Sequence, residues 1–109
     1  MSVVPIFTGL SYDIAPDGER VRLSGDLDMS TAPLVQVALM EALDRRPSSM
    51  TLDLAGIGFA DTAGLRALAL GVAACAKAGA APSIDSMRKR HRELFERLFP
   101  GVTTALAGR

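Results

Sequence analysis

The chain has 109 residues, 12 basic and 12 acidic side chains, one histidine and one cysteine, and 49% of it is apolar. That is enough to bury one core, so a single domain over 1–109 is expected. The balanced charge excludes attraction to nucleic acid or an anionic membrane by field alone, and lone Cys75 excludes an internal disulfide.

The opening "MSVVPIFTGLSYD" has no basic region followed by a long apolar core, so no signal peptide is read there. The longest apolar run, Leu65 to Ala76, is interrupted by Arg66 and falls short of the roughly 20 residues a membrane helix needs. A cytoplasmic domain without membrane insertion is the expectation.

Leu10 to Ile14, "LSYDI", alternates apolar and polar, and "RVRLSG" alternates again through Val21 and Leu23. The Pro-Asp-Gly between them is a turn signature, so the two runs predict an antiparallel hairpin. "GDLDMSTAP" reads as a polar break. Ser30 or Thr31 can cap a helix there, and Pro33 suits a first helical turn. Val35, Ala38, Leu39, Ala42 and Leu43 form the stripe of an amphipathic helix, which "RRPSS" stops.

Met50 to Leu54 predicts a strand, with "AGIGFAD" as a loop anchored by Ile57 and Phe59. A second helix is expected from about Thr62 to Ala78. It carries Leu65, Leu68, Ala69, Val72 and Ala76 on one face, and Gly79 is placed to end it. Cys75 lies among its alanines and reads as a small buried side chain. "APSIDSM" can give a short strand. "RKRHRELFERLF" predicts a helix with Leu94, Phe95, Leu98 and Phe99 apolar, closed by Pro100 and Gly101. The tail "VTTALAGR" has weak pattern: a short strand, an extra turn or disorder all fit it. The order β-β-α-β-α-β-α predicts a mixed sheet, an antiparallel hairpin followed by a parallel part.

The parts for self-sufficient catalysis are missing. His91 is the only histidine, lies in the basic run "RKRHRE" and reads as a surface residue. No second histidine or Cys-His pair suggests a metal site. The glycines of "AGIGFADTAG" lack the following Gly-Lys-Ser/Thr of a phosphate-binding loop and miss the dinucleotide fingerprint. No Gly-x-Ser-x-Gly turn is present. The chain therefore reads as a non-enzyme without cofactor or metal. "RKRHR" is read as a solvated helix face that could add affinity for an acidic partner.

The joint "FADTAG" is more informative. Asp61 or Thr62 can accept from the free N–H groups of a helix start, and an acid there suits the helix dipole. Capping alone would explain both residues, but not the earlier "GDLD". Both segments follow strands expected to lie side by side, which would bring them to one edge of the sheet.

With these segments in place, the chain resembles a STAS domain of the anti-sigma factor antagonist type. The family pattern has a G-[DE]-[LIVF]-D segment, then a helix, then DLSGVxFxDSSGLxxL. Gly25-Asp26-Leu27-Asp28 and "TLDLAGIGFADTAGLRAL" match it in order and spacing. The likeness runs from about Leu10 to Phe99, with looser termini. It implies a STAS fold, a mixed sheet of four to five strands with helices packed against it. It further implies a bacterial signalling protein that acts on transcription through other proteins. The partner would be an anti-sigma factor that is also a GHKL-type serine-threonine kinase. A phosphatase would reverse its modification, and the sigma factor is released when the domain binds.

By position the phosphoacceptor would be Thr62, and the partner surface Asp26, Asp28, Asp61, Thr62, Ala63, Gly64 and Arg66. Threonine stands where serine is commoner in the family, and Ala63 stands where a second hydroxyl is frequent. An alternative is a STAS subunit of an ABC lipid-transport system that binds its ATPase subunit. That group often carries DT-G-L at the same joint.

Overall fold

The computed structural model describes residues 9–105, and the side chains of residues 9–102. Within this span the elements are β1 (Leu10–Ile14), β2 (Arg20–Leu27), α1 (Ala32–Leu43), β3 (Met50–Ala60), α2 (Thr62–Lys77), β4 (Pro82–Ser86), α3 (Lys89–Leu98) and α4 (Pro100–Ala105). The strands form one sheet in the order β1-β2-β3-β4. The β1–β2 pair is antiparallel, with Leu10 opposite Gly25 and Ile14 opposite Val21. β2–β3 and β3–β4 are parallel. The mixed sheet expected from the sequence is thus present, with four strands among the described residues.

Strand alternation gives the sheet two unlike faces. Leu10, Ile14, Val21, Leu23, Met50, Leu52 and Leu54 are buried. They meet Val35, Ala38, Leu39 and Ala42 of α1, and Leu65, Leu68 and Val72 of α2, in one core. The alternate positions are polar. There the Arg20 Nη2 reaches Asp53 at 3.1 Å and Asp85 at 2.8 Å, and the Arg22 Nε reaches Asp53 at 3.3 Å. The Arg20–Asp85 pair is exposed and adds little stability, Asp53 is the more enclosed partner of the other two, and all three mark the face that the apolar core does not use.

Three differences from the sequence reading have local causes. The segment Ala55–Ala60, read as a loop, continues β3 to 11 residues. Its alternation is broken by irregular pairing with β2 between Arg22 and Ser24 and again between Gly25 and Asp26. Such bulges shift the inward positions and hide the period of two. Second, "GDL" is strand, not polar break. Gly25 has φ +112°, and a Cβ there would lie 2.1 Å from the Gly9 carbonyl oxygen, so only glycine lets β1 and β2 close at this point.

Third, His91 is buried, at 5% exposure, although it sits in a basic run. The helical period puts it one turn before Phe95, on the inward stripe of α3. Arg88, Lys89 and Arg90 are exposed, as expected for the rest of the run.

The second helix ends as predicted at Gly79. The Ala80 N–H donates to the Cys75 carbonyl at 3.0 Å and the Gly79 N–H to that of Ala76 at 3.1 Å. Its inward stripe includes the buried Cys75 rather than Ala76. Burial pushes the Cys75 thiol up to about 11, so it stays protonated at neutral pH. The start of the tail forms α4, and residues 106–109 lie outside the described span.

Candidate functional site

β2 and β3 end at the same edge, with Leu27 opposite Ala60. The Asp61 N–H continues the pairing by donating to the Leu27 carbonyl at 3.0 Å. Asp61 is then extended and turns the chain into α2. Its Oδ1 accepts from the Gly64 N–H at 2.9 Å, and its carbonyl accepts from the Leu65 N–H at 2.9 Å. Asp61 is therefore the N-cap of α2, satisfying a free donor of the first turn and placing negative charge at the positive end of the helix.

That assignment frees Thr62. It is the first residue of α2, it is exposed, and its hydroxyl makes no hydrogen bond among the described residues. The helix does not need that oxygen. Chemically, it is an accessible nucleophile or hydrogen-bonding group at the positive end of a 16-residue helix.

The "GDLD" segment lies against this start. A Cβ on Gly64 would sit 2.1 Å from the Leu27 carbonyl carbon and oxygen and 2.6 Å from the Asp28 nitrogen. Glycine at 64 thus lets α2 approach the backbone at the end of β2. Gly64 is itself buried. At this edge it lets the two segments come together.

Asp28 organises the entry to α1. Its Oδ1 accepts from the Ser30 N–H (2.9 Å), the Ser30 hydroxyl (2.7 Å) and the Thr31 N–H (3.1 Å). The Ser30 hydroxyl, ahead of the backbone donors, holds the Asp28 carboxyl below its ordinary pKa. Thr31 does stand at the N-cap position of α1, but its side chain does not cap the helix. The buried hydroxyl donates to the Asp26 carbonyl at 2.8 Å and accepts from the Asp28 N–H at 3.0 Å. Asp26 is pinned at both backbone groups, its N–H donating to the Gly9 carbonyl at 2.9 Å. Its carboxylate lies beside Gly9 at the start of β1.

Beside Thr62, α1 and α2 leave an apolar groove of ≈ 400 Å³. Its walls include Met29, Pro33 and Gln36 on one side, and Ala63, Arg66 and Leu70 on the other. Met29 is 77% exposed and Leu70 58%, unusual for large apolar side chains. The sequence reading missed Met29, Pro33, Gln36 and Leu70. Leu70 carried the signal, since it stands off the stripe formed by Leu65, Leu68, Ala69 and Val72. Among the described residues, no three His, Cys, Asp or Glu side chains converge as a metal set, and no helix is long and apolar enough to cross a membrane.

The strand order, the capped joint and the edge shared with Asp28 fit one known pattern, and a family model described as Mlab, STAS domain matches residues 10–99. The chain belongs to the STAS domain family. No curated protein matches this STAS domain. Among solved structures it is similar to an anti-sigma factor antagonist from Mycobacterium paratuberculosis. The two are 23% identical with a TM-score of 0.63, over 94% of this chain and 98% of that one. At that identity the likeness speaks for a shared STAS fold. Within the fold, Ala63, next to Thr62 in α2, and Arg66, one turn further on, both line the groove.

Proposed function

We propose that this STAS domain is an anti-sigma factor antagonist that docks its partner on the edge and groove around Thr62. The observation that carries the reading is the division of labour at the joint: Asp61 caps α2 and leaves the Thr62 hydroxyl exposed and unbonded. The similarity to an anti-sigma factor antagonist supports it.

The partner is an anti-sigma factor with a GHKL-type kinase domain, and binding it frees the sigma factor in the cytoplasm. The kinase phosphorylates Thr62, and a phosphatase restores the hydroxyl. Phosphate adds about −1.5 to −2 charges at neutral pH. A helix N-terminus accommodates that charge, so the domain keeps its fold. A close interface that already holds Asp28 and Asp61 does not accommodate it, and the complex separates by repulsion and desolvation.

The test is a binding titration against the kinase with melts of each variant. Thr62→Ala should bind like wild type and take no phosphate. Thr62→Glu should fold and bind more weakly by at least about 1.5–3 kcal/mol, the scale for a charge left poorly satisfied at an interface. That corresponds to roughly a tenfold to hundredfold loss. Equal affinity of wild type and Thr62→Glu would leave this threonine without a switching role.

A second reading is a STAS subunit of an ABC lipid-transport system, bound to its ATPase subunit. It is favoured by the Asp61-Thr62-x-Gly64-Leu65 joint and by the Mlab designation of the matching family model. Capture from the native cell with the tagged chain separates the two. Recovery of a transporter ATPase, with no kinase and no phosphate on Thr62, would replace the first reading by the second.

A further inference from the structure

A second pocket, of ≈ 260 Å³, lies between the end of β3 and the start of α3, lined by Phe59, Ala60, Arg90, His91 and Leu94. His91 is a buried polar side chain at 5% exposure, yet it has no hydrogen-bond partner among the described residues. No ring nitrogen is both buried and without a partner, so the unpaired imidazole keeps contact with solvent, and the residue forms part of the pocket wall. An imidazole with no protein partner at a pocket wall can exchange its solvent contact for a hydrogen bond to a ligand atom.

The surroundings fix the sign of that ligand. No acidic side chain lines the pocket, and Arg90 makes no ion pair among the described residues. The start of α3 has Arg88 at its N-cap, no side-chain cap and no acid in the first turn. Cations at a helix N-terminus oppose the helix dipole, and an anion there would relieve both. Phe59, 50% exposed, together with Leu94 and Ala60, supplies an apolar wall. The volume lies below the usual range of about 300–1,000 Å³ for drug-sized ligands, which limits the occupant to a small molecule.

We propose that this pocket binds a small organic acid. Its carboxylate sits against Arg90 and His91, and its apolar body rests on Phe59 and Leu94. A planar carboxylate suits the guanidinium fork, and its second oxygen can accept from the imidazole N–H. The site does not depend on the role of Thr62.

His91 is the only histidine of the chain, so its imidazole resonances report on the pocket without assignment. The full chain, ¹³C-labelled, is titrated at fixed neutral pH with phenylacetate, benzoate and hexanoate. Acetate, benzyl alcohol and inorganic phosphate form the control arms. At least one of the three acids should shift the His91 resonances saturably. Acetate and benzyl alcohol, each carrying half of the chemistry, should bind at least tenfold more weakly. Arg90→Gln should weaken the acid at least tenfold with an unchanged melting curve, since Arg90 is exposed and outside the core. Arg90→Lys should recover part of the loss. The proposal is overturned if none of the three acids gives a saturable shift, if phosphate or acetate binds as tightly as they do, or if Arg90→Gln leaves the affinity unchanged.

Discussion

At the residue scale, Asp61 and Thr62 are neighbours with opposite duties. Asp61 accepts from the Gly64 N–H at 2.9 Å, whereas the Thr62 side chain bonds to nothing described. Replacing a capping carboxylate by alanine costs about 0.5–2 kcal/mol. Asp61→Ala should therefore lower stability by roughly 1 kcal/mol in denaturant unfolding, and Thr62→Ala by a few tenths at most, as for surface changes that break no bond. If the two variants lose equal stability, the hydroxyl shares in the cap and its availability falls. The sequence placed both residues at a helix start but left the cap open between them. The choice depends on the extended backbone of Asp61, which aims its carboxylate at the third N–H of the helix and leaves Thr62 facing outward.

At the scale of elements, the site exists because α2 lies close to the end of β2. Gly64 permits this, and the atoms a Cβ would strike are backbone, held by the Asp61–Leu27 hydrogen bond. Backbone cannot rotate aside, so Gly64→Ala should destabilise by about 1–3 kcal/mol as overpacking. This outweighs the gain in helix propensity of about 1 kcal/mol from replacing glycine. Gly71 is the contrasting case between α1 and α2. A Cβ there meets the end of the Leu39 side chain, which can change rotamer. Gly71→Ala should stay within about 1 kcal/mol of wild type, because propensity offsets the repacking. Unfolding titrations of both variants test the ordering, and a Gly71→Ala variant weaker than Gly64→Ala would show that α1–α2 packing is the tighter of the two. Either glycine was visible in the sequence. That one meets backbone and the other a flexible tip was not, because the difference lies across the fold.

At the scale of the whole molecule, stability should fall on acidification in two stages. Burial, then the Arg90 and Arg88 charges, hold His91 below its ordinary pKa of 6.5. The unfolded chain takes up this proton first, so the contribution is complete above 6.5 and is lost as pH falls below it. Asp28 and Asp53 are also held low, Asp53 chiefly by the Ala55 N–H and Asp28 by the Ser30 hydroxyl. Their contribution is complete above the ordinary 3.8 and is lost as pH drops further. Thermal melts from about pH 7.5 to about pH 5.5, bracketing the ordinary histidine range, should show a falling midpoint in wild type and a flatter one in His91→Phe. Equal slopes would place His91 in a more solvated setting than its burial indicates.

What the sequence alone determined was the order of elements, the hairpin, both crossover helices, the end of α2 at Gly79 and the joint at Asp61-Thr62. Each is fixed by near neighbours through turn chemistry, capping and the periods of two and 3.6. The full length of β3, the burial of His91, the α1–α2 groove with its exposed Met29 and Leu70, and the tight backbone approach of Gly64 to Leu27 at the expected shared edge were decided only by the tertiary structure. Those features join residues from different elements. They depend on bulged register, on which helix face meets the sheet, and on close backbone approach, none of which a local pattern encodes.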